Sequence, residues 1–386
     1  MSKHIVTGLD IGTAAVRIAV CELDAGNKTP RVLALIKKES RGLRRGYVVN
    51  IDETTESIRE AVAEAERTVK QRLRNVFLAV GGAPLSSRLS DGQVIVSRAD
   101  SEITDHDVAR VIEASEANLT DLANKKILHT IPLFYKLDGQ KIIGRPEGLK
   151  GNKLEVKTLF ITCLIQHLNN LIRAAEAAGL VVDDIVAAPL AASLVALTPA
   201  QKAAGVVLTN IGAQTTSIIV FEEGLPLSLQ VFPIGSTDIT NDIALGLRVP
   251  IEEAEKIKLG QDGGLVLKKK LEEIVEARLS DMFELIDNHL KKMGRAGLLP
   301  AGIVLTGGGG QIEGIDKLAR ANLRLPARIL TTEATATTRP PKDSAWLVAY
   351  GLTMFGYNLD PEESYGLKLI SRGKHKFFRW LRELWP

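Results

Sequence analysis

Hydrophobic residues recur along the chain in short strand-like runs separated by longer amphipathic segments. Continuous apolar runs or an alternation of period two predict strands, and apolar residues three and four positions apart predict helices. The predicted strands lie at 4–21 (a pair around a glycine turn), 76–80, 92–97, 127–137, 154–165, 181–187, 205–221 (a second hairpin) and 301–310 (a strand running into four glycines). The predicted helices lie at 53–74, 107–119, 166–178, 189–197 and 268–293. This alternation predicts an α/β fold.

One strand–turn–strand pattern occurs twice, 200 residues apart. The segment LDIGTAAVRIAV at 9–20 aligns with TNIGAQTTSIIV at 209–220, so that Asp10 meets Asn210 and Gly12 meets Gly212. A glycine in a tight turn lets backbone N–H groups point at a phosphate, and a neighbouring acid can hold the water shell of Mg²⁺. The repeat therefore predicts two related lobes, each with one phosphate-facing turn.

A third glycine-rich segment follows a buried strand near the end of the chain. In GIVLTGGGGQIEGI at 302–315, the glycines offer bare backbone against which a sugar or an aromatic ring can lie. Each of the three segments alone is more typical of an ordinary tight turn. Together they predict a nucleotide-binding site.

Composition narrows the class of protein. The chain has 386 residues, 45% of them hydrophobic and 25% charged, which is ordinary for a soluble protein with two sizeable cores. No window approaches the run of about 20 apolar residues that crosses a bilayer. The two cysteines exclude a disulfide framework and fit a reducing cytosol, and the six scattered histidines predict no transition-metal site.

Positive charge is concentrated at the C-terminus. From Arg372 onward there are five Lys or Arg residues and one acid, a balance of +4, so the net charge of +3 leaves −1 for residues 1–371. The body of the protein thus gives no support for a nucleic-acid-binding face.

The last eleven residues, KFFRWLRELWP, separate into two faces at helical spacing. This pattern predicts an amphipathic helix at 374–386 that lies in the interface of an anionic membrane, since it is too short to span one. Docking on the protein's own core and binding in a partner's groove are the alternatives. The segment NLDPEESYG at 358–366 predicts a flexible linker before the helix, and the regular pattern thins after Gly351. The predicted membrane-binding residues are Lys376, Phe377, Phe378, Arg379, Trp380, Leu381, Arg382, Leu384 and Trp385.

The two hairpins and the glycine-rich strand end resemble the two phosphate motifs and the adenosine motif of the actin/Hsp70/sugar-kinase superfamily. Within it, the segments at 40–62, 90–108 and 127–156 resemble the FtsA family of bacterial cell-division proteins, and the resemblance runs from residue 5 to about 355 and includes the tail. The PilM family of pilus-assembly proteins shares much of the pattern.

The resemblance implies an α/β, actin-like (ribonuclease H-like) two-lobed ATP-binding fold with an FtsA-type inserted subdomain and a C-terminal amphipathic helix. The expected divisions are 1–82 with 166–198 and 345–358 for the first lobe, 83–165 for the extra subdomain, 199–344 for the second lobe with an inserted subdomain at about 236–300, 359–373 for the linker and 374–386 for the membrane-targeting helix.

The resemblance also implies the roles of site residues, with ATP and Mg²⁺ as cofactors. Asp10 and Asn210 would hold the metal through water. The expected phosphate-binding residues are Gly12, Thr13, Ala14, Gly212, Ala213, Gln214 and Thr215. The expected adenosine-binding residues are Glu255, Lys258, Gly307, Gly308, Gly309 and Gln311. Glu255 and Lys258 are three positions apart and so share one helix face.

Two positions depart from the superfamily pattern. Asn210 stands where an Asp is usual, and Ala188 stands where many relatives carry an acid or amide before the proline of a connecting helix. Both changes remove a group that orients water or metal, so we expect ATPase activity to be weak or absent. Asp10 and Gln214 are the candidate catalytic residues.

The function that the resemblance implies is that of an adaptor in cell division. Such a protein binds ATP, forms actin-like filaments with copies of itself, binds the FtsZ C-terminal peptide, and tethers FtsZ filaments to the cytoplasmic face of the membrane at the division septum, where later divisome proteins join. The alternative is a PilM-like cytosolic ring component of type IV pilus assembly. A sugar or acetate kinase is the third hypothesis, against which Asn210 and Ala188 argue.

Overall fold

The computed structural model describes residues 4–23, 30–97, 100–261, 268–330 and 343–357. The predicted linker at 359–373 and the predicted helix at 374–386 lie outside the described residues. Among the helices described, none is long and apolar enough to cross a membrane.

Sixteen strands are described within these ranges. They are β1 (His4–Ile11), β2 (Ala15–Leu23), β3 (Arg31–Glu39), β4 (Leu43–Arg44), β5 (Tyr47–Val48), β6 (Asn75–Val80), β7 (Leu85–Ile95), β8 (Lys125–Leu137), β9 (Gln140–Ile142), β10 (Lys153–Leu164), β11 (Val181–Ala187), β12 (Val206–Ile211), β13 (Thr216–Glu222), β14 (Leu225–Phe232), β15 (Ile303–Thr306) and β16 (Ala327–Ile329).

The described parts of the chain also contain ten α-helices. They are α1 (Ile51–Val69), α2 (Asp105–Ala117), α3 (Ile165–Ala177), α4 (Ala188–Ala196), α5 (Pro199–Ala204), α6 (Ser236–Leu247), α7 (Ile251–Lys258), α8 (Lys268–Lys292), α9 (Ile315–Leu323) and α10 (Leu347–Tyr357).

The two main sheets are built to the same plan. The first has the strand order β11-β6-β1-β2-β3, and the second contains β16-β15-β12-β13-β14 as its first five strands. In each, three consecutive strands pair antiparallel, and two further strands add in parallel beside the first of them. The duplication predicted from the two hairpins is thus a duplication of whole sheets.

The second sheet continues into an inserted subdomain. The strands β7, β10, β8 and β9 pair antiparallel with one another, and one residue pair, Gln230 with Ser86, joins them to β14. The helix α2 packs on this subdomain, with Val111 buried in its small core. At the start of α2, the Asp107 carboxylate accepts from the Thr104 hydroxyl and N–H, and the Asp107 N–H donates to the Thr104 carbonyl.

Two large hydrophobic clusters are described. One joins the first lobe to the inserted subdomain and to one face of the second sheet, which contributes residues such as Leu208 and Phe221. The other lies between the opposite face of the second sheet and the helices α6–α9. In the first lobe, α10 packs tightly on α4: a Cβ on Gly351 would collide with the backbone of Ala191. The two helices can approach this closely because the glycine has no side chain. In the second lobe, α8 and α9 cover the sheet with buried residues such as Phe283 and Ile315.

Most predicted elements are confirmed, with shifted ends. The helix predicted at 53–74 begins after Asn50, whose Oδ1 accepts from the Asp52 and Glu53 N–H groups, and ends at Val69 because Lys70 takes a left-handed conformation. The strand predicted at 92–97 begins earlier, at Leu85, because every residue of β7 from Leu85 to Ile95 pairs with β10.

Two expectations were incomplete. The order does not thin at Gly351, since α10 continues to Tyr357. Several elements lie outside the predicted ones, among them β3, β14, β16, α6, α9 and α10, whereas α7 contains the expected helix of Glu255 and Lys258. The expected domain boundaries stay a prediction.

Candidate nucleotide-binding site

A cleft of about 210 Å³ lies between the two lobes, and both duplicated turns line it. Each turn closes with the same backbone hydrogen bond: the Gly12 N–H donates to the Ala15 carbonyl at 3.1 Å, and the Gly212 N–H donates to the Thr215 carbonyl at 2.8 Å. The two turns therefore have matching local geometry on opposite walls of one cavity.

Most of the predicted site residues line this cleft. From the two turns they are Asp10, Gly12, Thr13, Ala14, Asn210, Gly212, Ala213 and Thr215, and from the end of β15 they are Gly307, Gly308 and Gly309. Sequence positions up to about 300 apart thus converge on one cavity. Their roles in binding stay predictions.

Asp10 and Arg17 are two charged residues that flank the first turn. They are cross-strand partners in the β1–β2 ladder, and both line the cleft. Burial raises the pKa of the Asp10 carboxyl to about 6, although the positive charge of Arg17 acts to lower it. A carboxylate that is desolvated in this way gains stability from any cation placed beside it.

Arg17 is a cleft residue that the predicted set lacks. Its Nε is buried and has no hydrogen-bond partner among the described residues. A half-buried guanidinium beside the Gly12 turn fits an anionic ligand such as a phosphate chain. A signal was present in the sequence, because Arg17 is a lone cation in the apolar run AVRIAV.

The second turn carries no charge at the corresponding positions. Asn210 pairs across the strands with Ser217, and both line the cleft. Asn210 also contacts the glycine run: a Cβ on Gly307, whose φ is +83°, would collide with the Asn210 Oδ1. Glycine at 307 therefore allows the end of β15 to lie directly against the second turn.

Four predicted residues do not line the cleft. The Gln214 Oε1 accepts a hydrogen bond of 2.7 Å from the Arg45 backbone N–H, which links the second turn to the hairpin β4–β5 of the other lobe. The Gln311 side-chain amide donates to the Ser344 hydroxyl at 3.1 Å. Glu255 and Lys258, which lie on the same helix, are the other two.

Glu255 and Lys258 form a network next to the cleft. The Lys258 ammonium donates to Glu255 Oε2 at 2.6 Å and to the Thr240 hydroxyl at 2.8 Å, and it reaches the carbonyl of Ser236, which itself lines the cleft, at 3.3 Å. Although burial opposes the shift, hydrogen bonds from Lys258 and from the Thr240 hydroxyl hold the pKa of Glu255 below its usual value. The predicted shared helix face is present, with the pair turned towards α6.

His129 of the inserted subdomain is hydrogen-bonded to the backbone just before the start of α4, which lines the cleft. Ala188 and Pro189 at the start of α4 line the cavity. Just before them, the Ala187 N–H donates to the His129 Nε2 at 3.0 Å. Burial lowers the pKa of His129 to about 3, so its ring is neutral and this nitrogen can accept. His129 thus has a structural role, and no cluster of three or more metal-ligating side chains occurs in the described ranges.

The residues present fit a nucleotide with a divalent cation. Mg²⁺ commonly uses one or two carboxylates together with phosphate oxygens and water, and the cleft offers the Asp10 carboxyl and the Asn210 amide. The unpartnered Arg17 Nε and the backbone of two glycine turns offer donors to phosphates. The uncharged glycine run offers space for the sugar and base.

Comparison with known proteins identifies relatives along most of the chain. The model of the family "Cell division protein FtsA" matches residues 207–351, and that of the "SHS2 domain inserted in FTSA" matches residues 82–162. The cell division protein FtsA of Pseudomonas aeruginosa is 33% identical over 378 residues, covering 92% of this chain and 90% of that protein. The FtsA of Bacillus subtilis is 32% identical over 376 residues, covering 92% and 84%.

Solved structures share the fold at low sequence identity. The PilM–PilN type IV pilus biogenesis complex matches with a TM-score of 0.68 at 19% identity, over 91% of this chain and 98% of that one. MreB5 of Spiroplasma citri bound to ADP matches with a TM-score of 0.55 at 15% identity, over 94% and 99%. The predicted actin-like α/β fold with an FtsA-type insert is thereby confirmed for the described part of the chain.

Proposed function

The chain belongs to the FtsA family of cell division proteins, and from this membership we propose that it is an ATP-binding adaptor that tethers FtsZ filaments to the cytoplasmic membrane. Its role in cell division follows from the family. The finer activities rest on the cleft and on the C-terminal sequence. The observation that carries the proposal is the pair of matched turns facing each other across one cavity.

ATP is the ligand that the cleft fits. In the proposed complex the two turns bind the phosphate chain from opposite walls, Arg17 adds a cation, and Gly307, Gly308 and Gly309 lie against the sugar and base. Asp10 and Asn210 hold Mg²⁺ through water. A likeness in fold to MreB5, whose structure contains ADP, supports a nucleotide of this class.

Hydrolysis of the bound ATP is slow in this proposal. The second turn presents the Asn210 amide where an acid would hold metal-bound water, and Ala188 at the start of α4 offers no polar side chain. A missing group of this kind typically costs a hundredfold or more in rate. Bound ATP then serves mainly to hold the two lobes in one arrangement.

The membrane contact is assigned to the tail at 374–386, on its sequence alone. One such helix binds weakly, so a filament of many copies would hold to the membrane far more firmly than a monomer. The test is co-sedimentation of the full-length protein with phosphatidylglycerol vesicles, with and without ATP, beside a chain lacking 374–386.

We expect the full-length protein to pellet with vesicles, more completely with ATP, and the shortened chain to stay in the supernatant. The double variant Trp380→Glu/Trp385→Glu, which keeps the length of the tail, should also stay in the supernatant. If the shortened chain pellets as well as the full-length one, the tail is not the membrane contact.

The contact with the FtsZ C-terminal peptide is assigned to the subdomain at 236–300. Leu245 at the end of α6 is 78% exposed, Ile251 at the start of α7 is 58% exposed, and Leu259 follows α7 with 58% exposed. Exposed apolar side chains concentrated in this way are typical of a protein-binding surface. Binding of a fluorescent FtsZ C-terminal peptide should fall at least tenfold in Ile251→Glu, whereas Val181→Glu, a similarly exposed position on β11, should leave the affinity unchanged.

The PilM-like alternative has less support. The PilM–PilN complex shares 19% sequence identity with this chain, and a similarity at that level shows the fold alone. Removing the tail of a cytosolic ring component would leave its localisation unchanged, so the vesicle experiment also separates these two functions.

A further inference from the structure

The tip of the hairpin β4–β5 touches the opposite lobe at the edge of the cleft. This tip is the pair Arg45 and Gly46, of which Gly46 lines the cleft. The Gln214 Oε1 in the second turn accepts from the Arg45 N–H at 2.7 Å, and we name this hydrogen bond the interlobe bond. In the described parts of the chain, no other hydrogen bond joins a phosphate-facing turn to the opposite lobe.

The hairpin is fixed to the first lobe. Gly46 and Gly82 pack back to back, since a Cβ on Gly46 would lie 2.3 Å from the Gly82 Cα. The Tyr47 ring meets the His167 ring of α3 edge-on, with the ring centroids 5.9 Å apart. Because Gly82 follows β6 and His167 belongs to α3, the tip of the hairpin moves together with the body of the first lobe.

The second turn is fixed in the same way to the second lobe. The Ser236 N–H donates to the Gly212 carbonyl at 2.9 Å. The Thr237 N–H donates to the Ala213 carbonyl at 2.7 Å. A Cβ on Gly235 would collide with that same carbonyl, so the start of α6 lies directly against the turn. The interlobe bond therefore joins two rigid bodies and not two adaptable loops.

The shape of the hairpin tip leaves its donor free for this bond. Arg45 has φ +49° and Gly46 has φ +80°, as in a two-residue type I′ turn. In such a turn the flanking residues, here Arg44 and Tyr47, pair with each other, and the N–H of the first turn residue takes no part in the ladder. The interlobe bond thus uses the Arg45 backbone and not its guanidinium.

We propose that Gln214 is a positioning residue whose interlobe bond sets the rate at which nucleotide enters and leaves the cleft. This inference rests on the proposed binding of ATP. A nucleotide passes between two lobes when they separate, and the interlobe bond has to break at that moment. Gln214 does not line the cleft, so it acts by holding the lobes together and not by touching the ligand. Since both bonded groups belong to the protein, the bond resists entry and release alike.

The test is the exchange kinetics of a fluorescent ATP analogue, mant-ATP, on the full-length protein with Mg²⁺. We expect Gln214→Ala to speed association and dissociation alike, by about three- to tenfold, because a hydrogen bond that opposed both steps is lost. The equilibrium affinity should then change by less than about twofold. Gln214→Asn keeps the amide but is one methylene shorter, so its oxygen no longer reaches the Arg45 N–H and its kinetics should match those of Gln214→Ala.

The matched control is Arg45→Asn, which removes the arginine side chain and keeps the backbone donor. Asn followed by Gly is a favoured pair for a type I′ turn, so the hairpin should keep its shape. Both rates should stay within about twofold of those of the unaltered protein. If Arg45→Asn speeds exchange as much as Gln214→Ala does, the arginine side chain controls the rate and the proposal is wrong.

Two other kinetic results would overturn the proposal. If Gln214→Ala speeds dissociation alone and weakens the affinity by the same factor, Gln214 contacts the nucleotide directly. If neither rate changes, the interlobe bond does not limit exchange.

Hydrogen–deuterium exchange at the Arg45 amide, measured without nucleotide, tests the interlobe bond by itself. The amide should exchange faster in Gln214→Ala than in the unaltered protein, because its acceptor is gone. Equal exchange would show that the bond does not hold the hairpin. A protein that bound no mant-ATP would instead overturn the proposed function, and the kinetic role of Gln214 with it, so the two failures are distinguishable.

Discussion

The two phosphate-facing turns have the same backbone but different charge. Each joins two antiparallel strands in the same register and closes with the same glycine hydrogen bond. In the first turn the cross-strand pair is Asp10 and Arg17, and in the second it is Asn210 and Ser217. The shape needed to hold a phosphate chain is therefore duplicated, whereas the charge is confined to the first lobe.

This difference suggests separate duties for the two lobes. In the proposed complex, the first lobe would supply electrostatic attraction to metal and phosphate, and the second would supply backbone donors and a neutral wall. Charge on both walls would favour catalysis, because it would hold metal-bound water from two sides. With charge on one wall only, we expect tight binding with slow turnover.

The Asn210→Asp substitution would place a carboxylate in the second turn, as Asp10 does in the first. Its effect, on the rate of ATP hydrolysis, is the largest that we expect. Asp is nearly isosteric with Asn and fits against Gly307, so ATP should still bind while phosphate release rises by about a hundredfold. Steady-state phosphate release with Mg-ATP measures this. Asn210→Ala should show no rise. An unchanged rate in Asn210→Asp, with nucleotide still bound, would show that the amide is not what limits hydrolysis.

The substitutions Arg17→Gln and Ser217→Ala measure how much each turn contributes to the affinity for Mg-ATP. A charge-assisted hydrogen bond contributes about 1.5–3 kcal/mol, so the first variant should bind Mg-ATP about 10- to 100-fold more weakly. The second should change the affinity by less than threefold. Titration calorimetry measures both. Equal losses in the two variants would contradict the assignment of charge to one lobe.

The pH dependence of Mg-ATP binding sharpens the role of Asp10. Its pKa of about 6 means that the free protein must lose a proton before the carboxylate can hold the cation. Affinity should therefore rise about tenfold per pH unit as pH increases towards 6, and it should level off above about 7. The Asp10→Asn variant should lose this dependence. A flat profile in the unaltered protein would exclude Asp10 from the metal site.

Asp10→Asn should also change the stability of the ligand-free protein, by the smallest amount. A carboxyl whose folded pKa is raised from 3.8 to about 6 makes the fold less stable as pH rises through that window. The neutral variant avoids this loss, which would be about 3 kcal/mol at full value. Because Asp10 keeps part of its solvent exposure, above pH 6 the free energy of unfolding of the variant should exceed that of the unaltered protein by about 1–2 kcal/mol. Below pH 4 the two should be equal. Urea unfolding at both pH values measures the difference.

The duplicated hairpins made the architecture and much of the cleft predictable. Matching strand contexts around Asp10 and Asn210 imply similar lobes, and similar lobes place their turns at corresponding positions. Arg17 was also within reach of sequence analysis, because a cation in an apolar strand needs a partner or a ligand.

Other parts depend on tertiary contacts that leave no local pattern. The helix α6 contains β-branched residues and Gly246, which weaken helix propensity, and a two-point ion pair between Asp242 and Arg278 of α8 helps to hold it. The bond from Arg45 to Gln214 uses a backbone donor and joins positions 169 residues apart. Similarly, α10 extends beyond Gly351 because its glycines are needed for close packing rather than for a turn.

Crystallography of the protein with Mg²⁺ and a non-hydrolysable ATP analogue tests the central claim most directly. We predict density for a phosphate chain between the turns at Gly12 and Gly212, with Arg17 in contact with it and the base against Gly307, Gly308 and Gly309. An analogue that bound elsewhere, or that touched the turn of only one lobe, would contradict the account.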